Sequence, residues 1–146
     1  MTTAVEDFVR FAARHAPFDA LPEDVLQATG ELAMLREVEA GDVVFEIGER
    51  LACFYLVRRG VLDAQSPEGQ PIARLSTGES FGARALLRDG ITSARVIAVE
   101  SSELVCIPAT AFLELIRKHK AFSDYFDRVR PSAERKAAVS LEPTNM

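Results

Sequence analysis

Seven of the eight glycines of this 146-residue chain fall between positions 41 and 90: Gly41, Gly48, Gly60, Gly69, Gly78, Gly82 and Gly90. Between and after them lie short runs of β-favouring residues, DVVFEI, CFYLV, VLDAQ, PIARL, ARVIAV and ELVCI. Strands this short, punctuated this often by turn residues, point to an antiparallel sandwich or barrel, doubled or closed so that its edges are protected. The middle of the chain is therefore predicted to be a small β-barrel or jelly roll, with extended structure beginning near Val38.

On either side the period is helical. Val5, Phe8, Val9 and Ala12 recur at helical spacing, and Leu21, Val25, Leu26, Leu32 and Leu35 carry the pattern on. Pro22 suits the first position of the second helix, and Glu23 and Asp24 load its first turn with the charge that the helix dipole favours. After Pro108 the helical period returns in Phe112, Leu113, Leu115 and Ile116, then in Phe122, Tyr125, Phe126 and Val129. Pro131 ends or kinks that last helix. The expected fold class is mainly β with flanking helices: a double-stranded β-helix (jelly-roll) barrel between N-terminal and C-terminal helices. The expected organisation is an N-terminal helix over residues 1–17, a domain over 18–130 and a polar tail or linker over 131–146.

Length and charge narrow the function. One compact domain fits in 146 residues, and two do not. The net charge of −5, from 22 acidic and 17 basic residues, works against a phosphate backbone or an anionic membrane. The densest basic group, Ile116 to Lys120, sits where a helix C-terminus favours cations. Neither nucleic acid nor membrane is a predicted partner.

Cys53 and Cys106 lie in apolar runs and read as small buried hydrophobes. His15 and His119 are far apart with no carboxylate cluster at ligand spacing, so neither a metal site nor a cofactor is expected. No nucleophile and base stand together in a catalytic motif, and neither histidine falls in the β region, so the chain is not expected to be an enzyme. The start lacks a charged segment followed by an apolar one, and no apolar run approaches about 18 residues; a cytoplasmic location is the expectation. The 17 residues after Val129 include Pro131 and Pro143 and are too few for a helix-turn-helix with its supporting helices.

The segment FGARALLRDGITSARV, Phe81 to Val96, interrupts the strands with a glycine turn, one or two turns of helix and a loop. The first N–H groups of a helix lack internal partners and carry partial positive charge, so this turn is a candidate anion cradle. It is equally a simple connection. Gly82 reads either as a point of close approach to a ligand or as a positive-φ turn residue. Phe54 and Tyr55, adjacent on a strand, are expected to face opposite ways, one into the barrel and one onto a helix. Glu79 and Glu100 read as surface carboxylates before they read as ligand contacts.

GDVVFEIGE at 41–49, FYLVRRGVL at 54–62, the loop at Glu68 and Gly69 and LSTGESFG at 75–82 together resemble a cyclic nucleotide-binding domain, over roughly Phe18 to Val129. The resemblance implies that cAMP or cGMP would sit inside the barrel with its cyclic phosphate on the N–H groups of the short helical turn. The family's F-G-E-x-A-L, followed by R-A-A-T-V, places Phe81, Gly82, Ala85, Leu86 and Val96 on matching positions. Two ligand-defining positions depart from it. Ala83 stands where the family has the glutamate that accepts from the ribose hydroxyl, and Thr92 where it has the arginine that pairs with the phosphate. Each such charged hydrogen bond contributes about 1.5 to 3 kcal/mol, so losing both corresponds to roughly a hundredfold to ten-thousandfold in affinity if additive.

Four residues are candidates to compensate. Arg84 and Arg95 bracket the departures, and Thr92 and Ser93 offer hydroxyls that donate to a phosphate oxygen. Against this, Arg95 lies an odd number of residues from Thr92, and on a regular strand the two would face opposite sides. The ligand-binding candidates are thus Phe81, Gly82, Ala83, Arg84, Ala85, Leu86, Thr92, Ser93 and Arg95.

The functional expectation is a sensory or regulatory module in which a cyclic nucleotide, or another small anion, shifts the C-terminal helices. The alternative is a ligand-free structural or dimerisation module, with Phe122, Tyr125, Phe126 and Val129 forming a homodimer contact or packing back on the barrel. The resemblance extends to the N-terminal domain of bacterial signalling proteins that carry paired CBS domains and a nucleotidyltransferase-like region. It therefore allows for further domains in a longer protein.

Overall fold

A computed structural model describes residues 3–128. Helix α1 (Ala4–Ala12) opens with a capping box, in which the Glu6 N–H donates to Thr3 Oγ1 at 3.0 Å while the Thr3 N–H donates back to Glu6 Oε1 at 3.3 Å. A single 3₁₀ turn at Phe18–Ala20 leads to α2 (Glu23–Leu32). Pro22 is the capping residue of α2 and lies just outside it, one position earlier than the sequence reading placed it.

The apparent helical stripe overruns α2. Strand β1 (Met34–Val38) begins where Leu35 was expected to continue the helix, and it pairs residue for residue with β8 (Ser102–Pro108), from Met34 opposite Cys106 to Val38 opposite Ser102. Ladder hydrogen bonds outweigh apolar spacing here. Leu32 and Leu35, which suggested the longer helix, are 56% and 57% exposed and bury little on this chain.

The remaining strands are β2 (Val43–Phe45), β3 (Cys53–Arg59), β4 (Val61–Gln65), β5 (Pro71–Ser76), β6 (Ser80–Phe81) and β7 (Arg95–Ala98), with the short helix α3 (Ala83–Leu86) between β6 and β7. They form two antiparallel four-stranded sheets, ordered β1-β8-β3-β6 and β2-β7-β4-β5. This is the jelly-roll arrangement, with edges protected by doubling. All seven glycines of the β region have positive φ, in keeping with the turns their spacing suggested. At Gly60 the requirement is also steric, because a Cβ there would lie 2.1 Å from Ser102 Oγ.

Strand β3 is the spine of the core. Phe54 turns toward the helices, and Tyr55 toward the second sheet, where it stacks on Phe81 at 4.9 Å with the rings 9° apart. On the helical side, α4 (Ala109–Lys118) and α5 (Lys120–Arg128) bring Phe112, Phe122 and Phe126 against Phe54 and Phe18. Phe122 is fully buried, and Phe126 packs against the core. For these two residues the structure favours packing back on the sheet over a self-complementary helix contact. Val129, Pro131 and the tail over 131–146 lie outside the described residues. Among the described residues, no helix is long and apolar enough to cross a membrane, and no group of three His, Cys, Asp or Glu side chains is placed to hold a metal ion.

Cys106 is buried and Cys53 half-buried. Burial raises both thiols, that of Cys106 to about 11, so both stay protonated and behave as apolar groups.

Helix α1 is tied to the sheet by Arg58 of β3, which donates from Nε and Nη2 to Asp7 at 3.2 and 3.0 Å and lies 4.8 Å from the centre of the Phe11 ring. The hydrogen bond from Arg58 holds the Asp7 carboxyl below its ordinary value of 3.8. Because the folded-state value is depressed, the pair stabilises the protein above the ordinary carboxylate range, and this contribution is lost as the pH falls through the folded value. Asp7 is nearly half exposed, which limits the effect to about 1 kcal/mol or less. Asp7→Asn is expected to lower urea stability by that amount at neutral pH, with the difference shrinking as the pH falls below 3.8.

Candidate functional site

A half-open cavity of about 100 Å³ lies where the β6–α3 segment crosses the mouth of the second sheet. Its walls are Phe45 of β2, Leu51, Ala64 of β4, Ile72 and Leu75 of β5, Phe81, and Val96 of β7. Strand alternation sends Ala64, Leu75 and Val96 inward: Leu62 and Ala64 on β4, Ala73 and Leu75 on β5, and Val96 and Ala98 on β7 are all buried, with more exposed residues between them, the half-buried Ile72 among these. The rim carries Gly82, Ala83, Arg84, Ala85, Thr92, Ser93 and Ala94.

Gly82 starts α3 with φ +103 and no side-chain cap. A Cβ at this position would meet Leu51 Cδ2 at 3.0 Å, so the glycine answers both a backbone and a packing demand. The N–H groups of Ala83, Arg84 and Ala85 find no acceptor among the described residues, as first-turn donors do without a cap. Leu86 is buried beneath the turn. Tyr55 braces Phe81 from behind, and Arg36 Nη1 in turn lies 3.4 Å from the Tyr55 hydroxyl. Burial raises the Tyr55 phenol above its ordinary value and Arg36 opposes that rise, so the hydroxyl stays protonated.

The structure separates the candidate compensating residues. Thr92 is buried and committed to the protein itself: its hydroxyl donates to the Glu46 carbonyl and accepts from the Glu49 N–H at 3.0 Å. Its main chain adds bonds to Glu49 and Gly48. Thr92 therefore staples the 46–49 loop, with its hydroxyl proton directed to the Glu46 carbonyl. The reason is tertiary, since Glu46 and Glu49 are more than 40 residues away in sequence.

Arg95 is absent from the cavity wall. Its neighbour Val96 points inward, so Arg95 lies on the opposite face of β7, with Nε 3.2 Å from Glu46 Oε2 and Nη1 3.5 Å from Gln65 Oε1. Nε makes no aligned hydrogen bond, so the Glu46 contact is an ion pair and little more. Ser93 is exposed at the rim. Arg84 is half-buried, is the one charged residue among those lining the cavity, and has no carboxylate within ion-pair distance among the described residues.

Sequence reasoning missed the apolar walls at Phe45, Leu51, Ala64, Ile72, Leu75 and Val96 as site residues. The alternation in VLDAQ, PIARL and ARVIAV carried that signal for Ala64, Leu75 and Val96; Leu51, in a connection, had none. Glu79 is occupied locally, accepting from the Ser76 N–H at 2.7 Å.

The fold is a jelly roll with flanking helices, and an apolar cavity lies beneath its short glycine-led helix. The chain belongs to the cyclic nucleotide-binding domain family, whose model matches residues 35–119. It is 32% identical over 107 residues to mouse cGMP-dependent protein kinase 2, an alignment covering 70% of this chain and 14% of the kinase. Among solved structures it is similar to the regulatory subunit of a cAMP-independent protein kinase A from Trypanosoma brucei, with a TM-score of 0.81 and 16% identity over 93% of this chain and 50% of that one. The sensor domain of the transcriptional regulator DNR from Pseudomonas aeruginosa matches with a TM-score of 0.74 and 20% identity, over 97% and 93% of the two chains. The chain is a regulatory module of this family and spans only a small part of the curated relatives it matches.

Proposed function

We propose that this chain is a ligand-sensing module of a larger cytoplasmic signalling protein, without catalytic activity of its own, whose cavity takes cAMP and cGMP far more weakly than the family pattern provides for. The observation that carries this reading is the commitment of Thr92. At the family's arginine position the side chain is buried and hydrogen-bonded to the 46–49 loop, and at the glutamate position Ala83 offers no acceptor. What remains for an anion is the row of first-turn N–H groups and the guanidinium of Arg84. The cAMP-independence of the Trypanosoma brucei subunit supports the idea that the fold can serve regulation without that ligand. Occupancy would be reported through Phe81, Tyr55 and β3 to Phe54 and the α4–α5 pair, by favouring one helix arrangement over another. The same departures leave a ligand-free structural module as the second reading.

Isothermal titration of the full chain with cAMP and cGMP tests the proposal. The expected result is no saturation below about 100 μM, a level worth roughly 5 to 6 kcal/mol. Saturation in the low micromolar range would overturn it.

A further inference from the structure

We infer that the ligand of this cavity is a compact apolar molecule bearing a single anionic group, held at its charged end by Arg84, and not a sugar phosphate. The inference rests on the reading of the cavity as a ligand-sensing site and adds the chemical class. Its basis is the inventory of polar side chains around the cavity. A ribose needs acceptors and donors for its hydroxyls. Ala83 supplies no side-chain acceptor, Thr92 has spent its hydroxyl on Glu46 and Glu49, and Ser93 is exposed at the rim. Burying sugar hydroxyls against Leu51, Leu75 and Val96 would leave them unpaired, at a cost that an apolar body does not incur.

Charge points the same way. Arg84 is the one charged residue lining the cavity, and no carboxylate of the described residues pairs with it. Arg95, the other candidate arginine, is turned to the far face of β7 and held by Glu46. One anionic group therefore has one unengaged guanidinium to meet, and a guanidinium fork suits a planar carboxylate. Size agrees as well. The cavity measures about 100 Å³, the scale of one aromatic ring or a short alkyl chain, since an engineered apolar cavity of about 150 Å³ accommodates benzene. Its open side lets the charged end reach the rim while the body stays among the apolar walls.

The test titrates the full chain by calorimetry with 3-phenylpropionate, its neutral amide 3-phenylpropionamide, octanoate and cAMP. Wild type should bind at least one of the two carboxylates at least tenfold tighter than cAMP, and 3-phenylpropionate about tenfold tighter than its amide. In Arg84→Gln the preference for acid over amide should fall below about twofold while the affinity for the amide is kept, which separates loss of the charge contact from misfolding. Equal binding of acid and amide by wild type, an unchanged preference in Arg84→Gln, or displacement of the carboxylates by equimolar cAMP would each overturn the inference. If neither carboxylate binds while cAMP also stays weak, the inference fails and the reading of weakened cyclic-nucleotide binding stands. Tight cAMP binding would remove both.

Discussion

Replacing Phe54 with alanine is expected to lower the unfolding free energy by about 3 to 5 kcal/mol, the range for deleting a large aromatic ring from a core that cannot close around the gap. Phe54 is fully buried and stacks on Phe112 at 4.4 Å, with Phe126 and Phe18 at 5.9 and 6.0 Å. Its neighbours come from the 3₁₀ turn, α4 and α5, so the ring is what holds separate parts of the chain against β3. Such a loss is a large share of the 5 to 15 kcal/mol typical of a domain. Urea unfolding followed by circular dichroism reads it directly, with the near-ultraviolet and far-ultraviolet transitions shifting together to lower urea. A loss below about 1 kcal/mol would mean that the cluster relaxes into the space and that α4 and α5 are docked by other contacts. Phe54→Leu, which keeps most of the volume, should cost clearly less.

The double substitution Ala83→Glu with Thr92→Arg should raise cAMP affinity by roughly a hundredfold to ten-thousandfold, the return of two charged hydrogen bonds of about 1.5 to 3 kcal/mol each. Both positions already line the cavity. The gain has a structural cost. Arginine at 92 takes away the hydroxyl that serves Glu46 and Glu49, leaving a carbonyl and an N–H to find new partners at about 1 to 3 kcal/mol. Calorimetry with cAMP measures the first effect, and urea unfolding of the same preparation measures the second. A folded variant with no gain in affinity would show that the loop over 46–49, and not the missing side chains, keeps the nucleotide out.

The β region was legible because turn chemistry is local. A glycine at positive φ needs no distant partner to be favoured, and all seven glycines of that region mark such positions. The helical flanks were legible for a similar reason, since Phe112, Leu115 and Ile116 in α4 and Phe122 and Phe126 in α5 recur at spacings that a helix aligns on one face. Legibility failed at Leu35, which continues the helical spacing of α2 but belongs to strand β1. Only the presence of β8 alongside decides that. The two-residue strand β6 was likewise invisible, being defined by its pairing with Tyr55 and Leu56.

The candidate site divides along the same line. The sequence by itself determined the position of the short helix after Gly82, the resemblance to a cyclic nucleotide-binding domain and the absence of the family's glutamate and arginine at Ala83 and Thr92. Each of these is a property of residue type and local spacing. The fates of Thr92 and Arg84, and the partner that meets Arg95, were decided by the tertiary structure alone. Thr92 is engaged by a loop more than 40 residues away, Arg95 is turned outward by the alternation of β7 and met there by Glu46, and Arg84 is left at the rim of an apolar cavity without a carboxylate among the described residues. Which polar groups remain free for a ligand depends on which are satisfied within the fold, and hydrogen bonds and ion pairs between distant segments exist only once the two sheets have closed on each other.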